Sequence, residues 1–166
     1  MKRIHTACLQ ICVFATFLLL APALRGQDKM TQQRQKHFCL QDKVALSGYD
    51  PVSYFEMDAP VKGKPQFAHT YQGITYHFVN VRHLESFKKN PSRYEPAYGG
   101  WCAFALGKTG KKLAANVECF KIINNRLFVF YQAKGMNALE LWNQDEANMQ
   151  KRADVFWEKI LASPTR

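Results

Sequence analysis

The dipeptide Gln72-Gly73 constrains this chain more than any other feature. It separates Phe67–Tyr71 from Ile74–Phe78, two short runs in which aromatic and β-branched residues recur at every second position. A two-residue loop with glycine second accepts the positive φ angles of a tight hairpin turn. Such a loop pairs Tyr71 with Ile74, His69 with Tyr76 and Phe67 with Phe78. Strand side chains alternate, so all six share one face. His69 then sits among aromatics, while His77 lies beside Ala68 on the other face, towards solvent or a second layer.

The rest of the chain supplies partners for that hairpin. Asp50-Pro51 reads as a helix cap followed by proline at the first helical position, giving one turn over Pro51–Phe55. Pro60, Gly63 and Pro65 mark Glu56–Gln66 as a surface loop. Asn80 caps a helix over Val81–Lys89 with Leu84 and Phe87 on its buried face. Asn90-Pro91 ends it and opens a further turn to Tyr94. Tyr98-Gly99-Gly100 bends into Trp101–Leu106, whose apolar run reads as a strand buried on both faces. Gly107–Asn116 is a basic, flexible connector. A second hairpin joins Cys119–Ile123 to Arg126–Tyr131 across Asn124-Asn125, side chains that tolerate positive φ. A short helix over Asn137–Trp142 precedes a longer amphipathic one carrying Met149, Ala153, Phe156, Trp157 and Ile160. Asn143 and Glu146 form its capping pair, and Pro164 lies beyond its end. The pattern predicts an α+β fold: a compact single domain over 38–163, two β-hairpins with interleaved helices and a C-terminal amphipathic helix.

The 22 aromatic side chains among 166 residues exclude a disordered polypeptide. The formal charge of +10 raises the question of a nucleic-acid partner. Lys2, Arg3 and Arg25 lie in the N-terminal segment, however; without them 20 basic side chains face 13 acidic ones, or +7. The remaining lysines are scattered, with no run longer than two, so a basic soluble surface is the better reading and no nucleic acid is expected. Met1–His5 is positive, Thr6–Leu24 carries no charge, and Ala21-Pro22-Ala23 offers a small-x-small exit. Residues 1–26 therefore read as a secretory signal peptide, with the mature chain starting between Leu24 and Asp28. An uncleaved membrane anchor is the competing reading, since the apolar stretch reaches the lower limit of a spanning helix. On either reading the folded part is exported, to a periplasm or the extracellular space. Residues 27–37, rich in Gln and charge, read as a flexible lead-in.

Four motifs in order and at spacing resemble a known family. Gly48-Tyr49-Asp50-Pro51-Val52-Ser53-Tyr54-Phe55 looks like the opening signature of exported proteins of the YHS domain family. Tyr71–Phe78 resembles its central hairpin, Phe87–Tyr94 its helix and following turn, and Tyr98-Gly99-Gly100-Trp101-Cys102-Ala103 its Tyr-Gly-Gly-aromatic-Cys-Ala block. The agreement runs from Val44 to about Trp157. The wider family includes short modules attached to copper-transporting ATPases and other metal-handling proteins. This resemblance implies a treble-clef-like hairpin–helix core with metal ligands near the junction. Here the thiol positions of the short modules correspond to Val79 and His83, so a thiolate-only site cannot be assembled from this segment.

The resemblance and the inventory of donors together nominate Cys102, His83 and His69 as a metal site for copper(I) or zinc, because thiolate and imidazole suit both. The bland alternative is a hydrogen-bonded core histidine and a cysteine serving as a small apolar filler. Of five cysteines, Cys8 and Cys12 fall in the N-terminal segment, leaving Cys39, Cys102 and Cys119. An odd number in an oxidising compartment permits at most one intrachain bridge. Cys102 lies within a family motif, so a bridge, if formed, is expected between Cys39 and Cys119. No Ser-His-Asp order, phosphate loop, H-E-x-x-H or nucleotide fingerprint occurs, and nothing specifies an enzyme. Asp50 reads first as a helix cap and only second as a carboxylate with chemistry. Two functions stand side by side: an exported metal-binding or metal-handling module, and a non-catalytic binding or structural domain without a metal site.

Overall fold

The structure, a computed structural model, describes residues 29–163. The signal-peptide reading lies outside them. Among the described residues no helix is long and apolar enough to cross a membrane. The chain is α+β. A helix over 29–37 (α1) leads into two short strands, β1 (Leu40–Gln41) and β2 (Val44–Ala45), and a 3-10 turn at Leu46–Gly48. Then follow α2 (Ser53–Glu56), β3 (Lys64–Tyr71), β4 (Ile74–Phe78), α3 (Val81–Lys89), α4 (Pro91–Tyr94) and a second 3-10 turn at Ala97–Gly100. The second half holds α5 (Ala103–Thr109), β5 (Asn116–Ile123), β6 (Arg126–Phe130), β7 (Gln132–Ala133), β8 (Met136–Asn137), α6 (Ala138–Asn143) and α7 (Glu146–Ala162). One sheet has the order β1-β2-β4-β3, with β2 parallel to β4; β5-β6 and β7-β8 are separate antiparallel pairs.

The first hairpin forms as the turn chemistry requires. Gln72 and Gly73 take φ of 46° and 82°, and Tyr71 faces Ile74, His69 faces Tyr76, Ala68 faces His77. Ile74, Tyr76 and Phe78 are buried, as expected for one face. The register breaks between Lys64 and Ala68, so Lys64 rather than Phe67 stands opposite Phe78. A bulge at that point lets β3 bend at Pro65, which has no N–H to give the ladder. His77 is half-buried and does meet a second layer, its backbone and Cβ lying against Gly63 and its ring beside Gly48.

Four readings need correction. Residues 29–37 are not loose: they are helical, and from Arg34 onward they belong to the same compact unit as the rest. Arg34 pairs with Glu95, and Gln35 donates to the Gly73 carbonyl at 2.7 Å. Secondly, the expected strand over Trp101–Leu106 is mostly helix. Cys102 caps α5, and only single bridges, Trp101 to Ala114 and Cys102 to Val129, remain of strand character. A six-residue apolar run has no decisive period, and Ala103, Ala105 and Leu106 are strong helix formers. Thirdly, the connector after it begins inside α5: Gly107 is helical and Gly110, at φ 71°, ends the helix. Asp145, not Asn143, stands at the start of α7.

Apolar side chains gather in three clusters. One centres on Phe87 with Ile74, Tyr76, Phe78, Val52 and Tyr94. Another centres on Trp142 with Phe128, Phe130, Leu106, Cys102 and Ala153. A third contains Leu46, Tyr54, Leu127 and Val129. Helices α5 and α7 cross closely because Gly107 has no side chain: a Cβ there would fall 2.6 Å from the Met149 carbonyl oxygen. Gly107→Ala is therefore expected to destabilise by about 1–3 kcal/mol through overpacking. Urea denaturation checks this, and a neutral result would argue against helix at 103–109.

Candidate functional site

The chemistry-bearing residues converge where the first hairpin runs into α3. The 3-10 turn at Leu46–Gly48 and the bridge from Tyr49 to Lys62 deliver Asp50 into the interior, where it is wholly buried. Its Oδ1 accepts from the Val52 N–H at 2.8 Å and holds the turn before α2, which starts at Ser53 behind Val52 with no side-chain cap, not at Pro51 behind Asp50 as expected. Its Oδ2 accepts from the Val79 N–H at 2.8 Å and meets His83 Nδ1 at 2.7 Å. Its backbone N–H donates to the Val61 carbonyl at 2.9 Å, and its carbonyl accepts from Ser53 Oγ at 2.8 Å. One side chain thus ties the entry to α2, the exit from β4 and the first turn of α3.

His83 owes its place to the Asn80 cap, whose side chain accepts from the His83 N–H at 2.9 Å and starts the helix there. The imidazole is almost fully buried, and its Nε2 lies 3.9 Å from Glu56 Oε2. That separation is beyond a direct hydrogen bond. Glu56 instead pairs with Arg82 at 2.5 Å, with Tyr94 Oη at 3.4 Å from its other oxygen. Burial pushes the Glu56 carboxyl upward, but the hydrogen bond and charge of Arg82, with His83 and Ser86, hold it below the usual carboxylate range.

The three nominated ligands do not come together. His83 is committed to Asp50. His69, half-buried on β3, sets its ring edge-on to Phe87 with centroids 6.4 Å apart. Cys102 lies in the Trp142 cluster, wholly buried, its Sγ accepting from the Tyr131 N–H at 3.2 Å and the Ala105 N–H at 3.5 Å. Among the described residues no group of three or more His, Cys, Asp or Glu side chains is arranged to hold a metal ion. The cause is local: because α5 starts at Ala103, Cys102 is a cap registered beside β6 and its thiol turns into the second core.

The thiols are also separate from one another. Cys39, Cys102 and Cys119 are all free, so the Cys39–Cys119 bridge is not formed. Cys102 and Phe120 flank Val129 on opposite sides of β6. That places Cys102 and Cys119 about two strand spacings apart, roughly 10 Å, too far for a disulfide. Burial pushes the Cys39 thiol up, opposed by a hydrogen bond from the Ala115 backbone and by Lys112. Burial likewise raises that of Cys119, opposed by the Leu139 backbone.

Sequence reasoning missed Glu56, Arg82 and the second role of Asp50. Asp50 and His83 are 33 positions apart, and no local period links them. Comparison with family models, curated proteins and solved structures finds no match to this chain.

Proposed function

We propose that this is an exported, YHS-like, non-catalytic binding domain whose hairpin–helix junction is closed by a carboxylate–imidazole pair instead of a metal. The observation that carries the reading is the 2.7 Å contact between Asp50 Oδ2 and His83 Nδ1 inside a shell of satisfied backbone donors. In the short modules the position of His83 corresponds to a thiol ligand. Here the imidazole spends one nitrogen on a buried acceptor that also holds β4 and α2, so it does the same mechanical task without an ion. The Cys102 sulfur supports this too: two backbone N–H groups already point at it, while His83 is held by Asp50 and His69 lies against Phe87.

The metal-handling reading makes the opposite forecast, and a titration separates the two. Copper(I) and zinc are added to the mature protein and to its Cys102→Ala, His83→Ala and His77→Ala variants. The binding-domain reading expects no stoichiometric uptake that depends on Cys102 or His83. Uptake of one ion, lost in Cys102→Ala and weakened in His83→Ala while His77→Ala is unaffected, would restore the metal site and overturn the proposal.

A further inference from the structure

Basic side chains that stand apart in the sequence are gathered by the fold around one turn. Helix α5 ends at Gly110, and the chain turns back through Lys111-Lys112-Leu113. There the Leu113 carbonyl accepts from the Cys102 N–H at 2.9 Å, and Ala114 bridges to Trp101. The turn rests on α7, since a Cβ at Gly110 would fall 2.8 Å from Phe156 Cδ1. On α7, Phe156 lies between Arg152 and Lys159. Arg152 donates to the Lys108 carbonyl at 3.1 Å, and Lys159 Nζ stands 5.8 Å from the Phe156 ring centroid. From the other side α1 closes in: Lys112 Nζ donates to the Lys36 carbonyl at 2.9 Å and lies 5.2 Å over the Trp101 ring. Lys36, Lys108, Lys111, Lys112, Arg152 and Lys159 are all exposed and border on this turn.

These charges are unopposed. Among the described residues none of the six makes an ion pair, and the acidic side chains that do are engaged elsewhere: Glu56 with Arg82, Glu95 with Arg34, Glu146 with Lys121, Asp154 with Arg126. The residues three and four places either side of Arg152 are Asn148, Met149, Val155 and Phe156, so α7 offers it no acidic neighbour. Glu158 lies on another face of α7, where it lines a shallow groove with Lys151 and Asp154. Amid the cations Leu113 is 44% exposed. A lone exposed leucine needs no explanation. One bordered by unpaired cations combines charge with an apolar side chain, the two signals of an interfacial anchor.

We propose that the turn Lys108–Leu113, with Lys36, Arg152 and Lys159 around it, docks on the surface of an anionic lipid bilayer. Leu113 enters the interface and the cations face the headgroup phosphates. The cations come from α1, the turn and α7 and are spread over a face instead of converging on one point. That distribution suits the dispersed charge of a bilayer, and a single small ion would meet only part of it. A flexible soluble polyanion would satisfy the charges but give Leu113 nothing to enter. The proposal goes beyond the binding-domain reading and uses none of the residues of the Asp50–His83 junction.

Sedimentation with vesicles tests it, using phosphatidylcholine alone and phosphatidylcholine mixed with phosphatidylglycerol. The mature protein is used, from which the uncharged segment Thr6–Leu24 is absent, so retention cannot come from that segment. Acidic vesicles should retain the protein, neutral ones should not, and added salt should release it. Lys108→Gln/Lys111→Gln should weaken binding by more than about tenfold, at about fivefold for each charge. Leu113→Ser leaves the charge unchanged and should weaken binding about tenfold. Lys64→Gln/Lys89→Gln removes as much charge from β3 and α3, beside the Phe87 cluster, and should bind as the parent does. Matching urea midpoints establish that the variants are folded. Failure of acidic vesicles to retain the protein, equal losses in the two double variants, or full binding by Leu113→Ser overturns the proposal. Inorganic polyphosphate is the last arm: a protein that binds it and ignores acidic vesicles has a soluble polyanion as its partner, which also overturns the bilayer. The metal titration addresses the Asp50–His83 junction and is read separately, so failure of one reading is not mistaken for failure of the other.

Discussion

Replacing Asp50 by alanine is expected to destabilise the domain by about 3–5 kcal/mol, because three buried donors lose their acceptor and each stranded donor costs at least about 1 kcal/mol. The loss has identifiable parts. The Val79 N–H and His83 Nδ1 lose their shared acceptor, and Val52 loses the cap of the turn before α2. Water cannot easily replace the carboxylate, since Asp50 is 0% exposed and His83 3%. Asp50→Asn should recover only part of the loss, because an amide offers one acceptor oxygen where the carboxylate uses two. His83→Leu removes both the imidazole and its need for a partner, and should cost less than Asp50→Ala. The double variant Asp50→Ala/His83→Leu should be clearly less destabilised than the two single effects combined, since the second change removes a group that the first had stranded. Equilibrium urea denaturation of the four proteins gives the coupling directly. Simple additivity would mean that the 2.7 Å contact contributes nothing, and with it would fall the idea that this pair closes the junction.

What was legible in the sequence divides along the range of the signal. Gln72-Gly73 and Asn124-Asn125 announce their hairpins because a turn type demands particular φ angles from particular residues, a requirement within two positions. Asn80 likewise announces α3, because capping is satisfied by the N–H of His83 three residues on. The stretch after Gly100 carried no such local signal. Its alternation and its helical periodicity are equally good over six residues, and packing of Gly107 on Met149 of α7 settles the matter from far along the chain. The same argument explains the site. A histidine on an aromatic strand face and a cysteine in a glycine-rich block suggested ligands, but convergence is tertiary, and the helix at α5 sends Cys102 elsewhere. Residues 34–37 looked loose because their composition is polar. Their order comes from single partners far along the chain: Glu95 for Arg34, the Gly73 carbonyl for Gln35, the Trp101 indole for His37.

Phe87→Ala should be as damaging as the loss of Asp50, and it tests a different property of the fold. Phe87 is 0% exposed and stands at the middle of the first cluster. Its ring lies 4.7 Å from that of Tyr76, 5.2 Å from Phe78 and 6.1 Å from Tyr71 between centroids, with His69 and Tyr94 at 6.4 Å. Truncating a buried Phe to Ala typically costs about 3–5 kcal/mol, through lost transfer energy and the cavity left behind. A ring held by several edge-on and tilted partners belongs at the upper end. Phe87→Leu keeps most of the volume and should cost much less. The chain offers an internal reporter of how far the damage spreads. All three tryptophans, Trp101, Trp142 and Trp157, lie outside the Phe87 cluster. If 34–163 unfold as one cooperative unit, Phe87→Ala shifts the tryptophan-fluorescence transition and the far-ultraviolet circular dichroism transition by the same amount of denaturant. The third cluster gives a physical reason to expect this: Tyr54 follows α2's start beside Asp50 and packs with Leu127 and Val129 of β6, so it spans both halves of the sequence. A fluorescence transition left in place while circular dichroism moves would instead divide the domain into two folding units, with the Asp50–His83 junction in the weaker one.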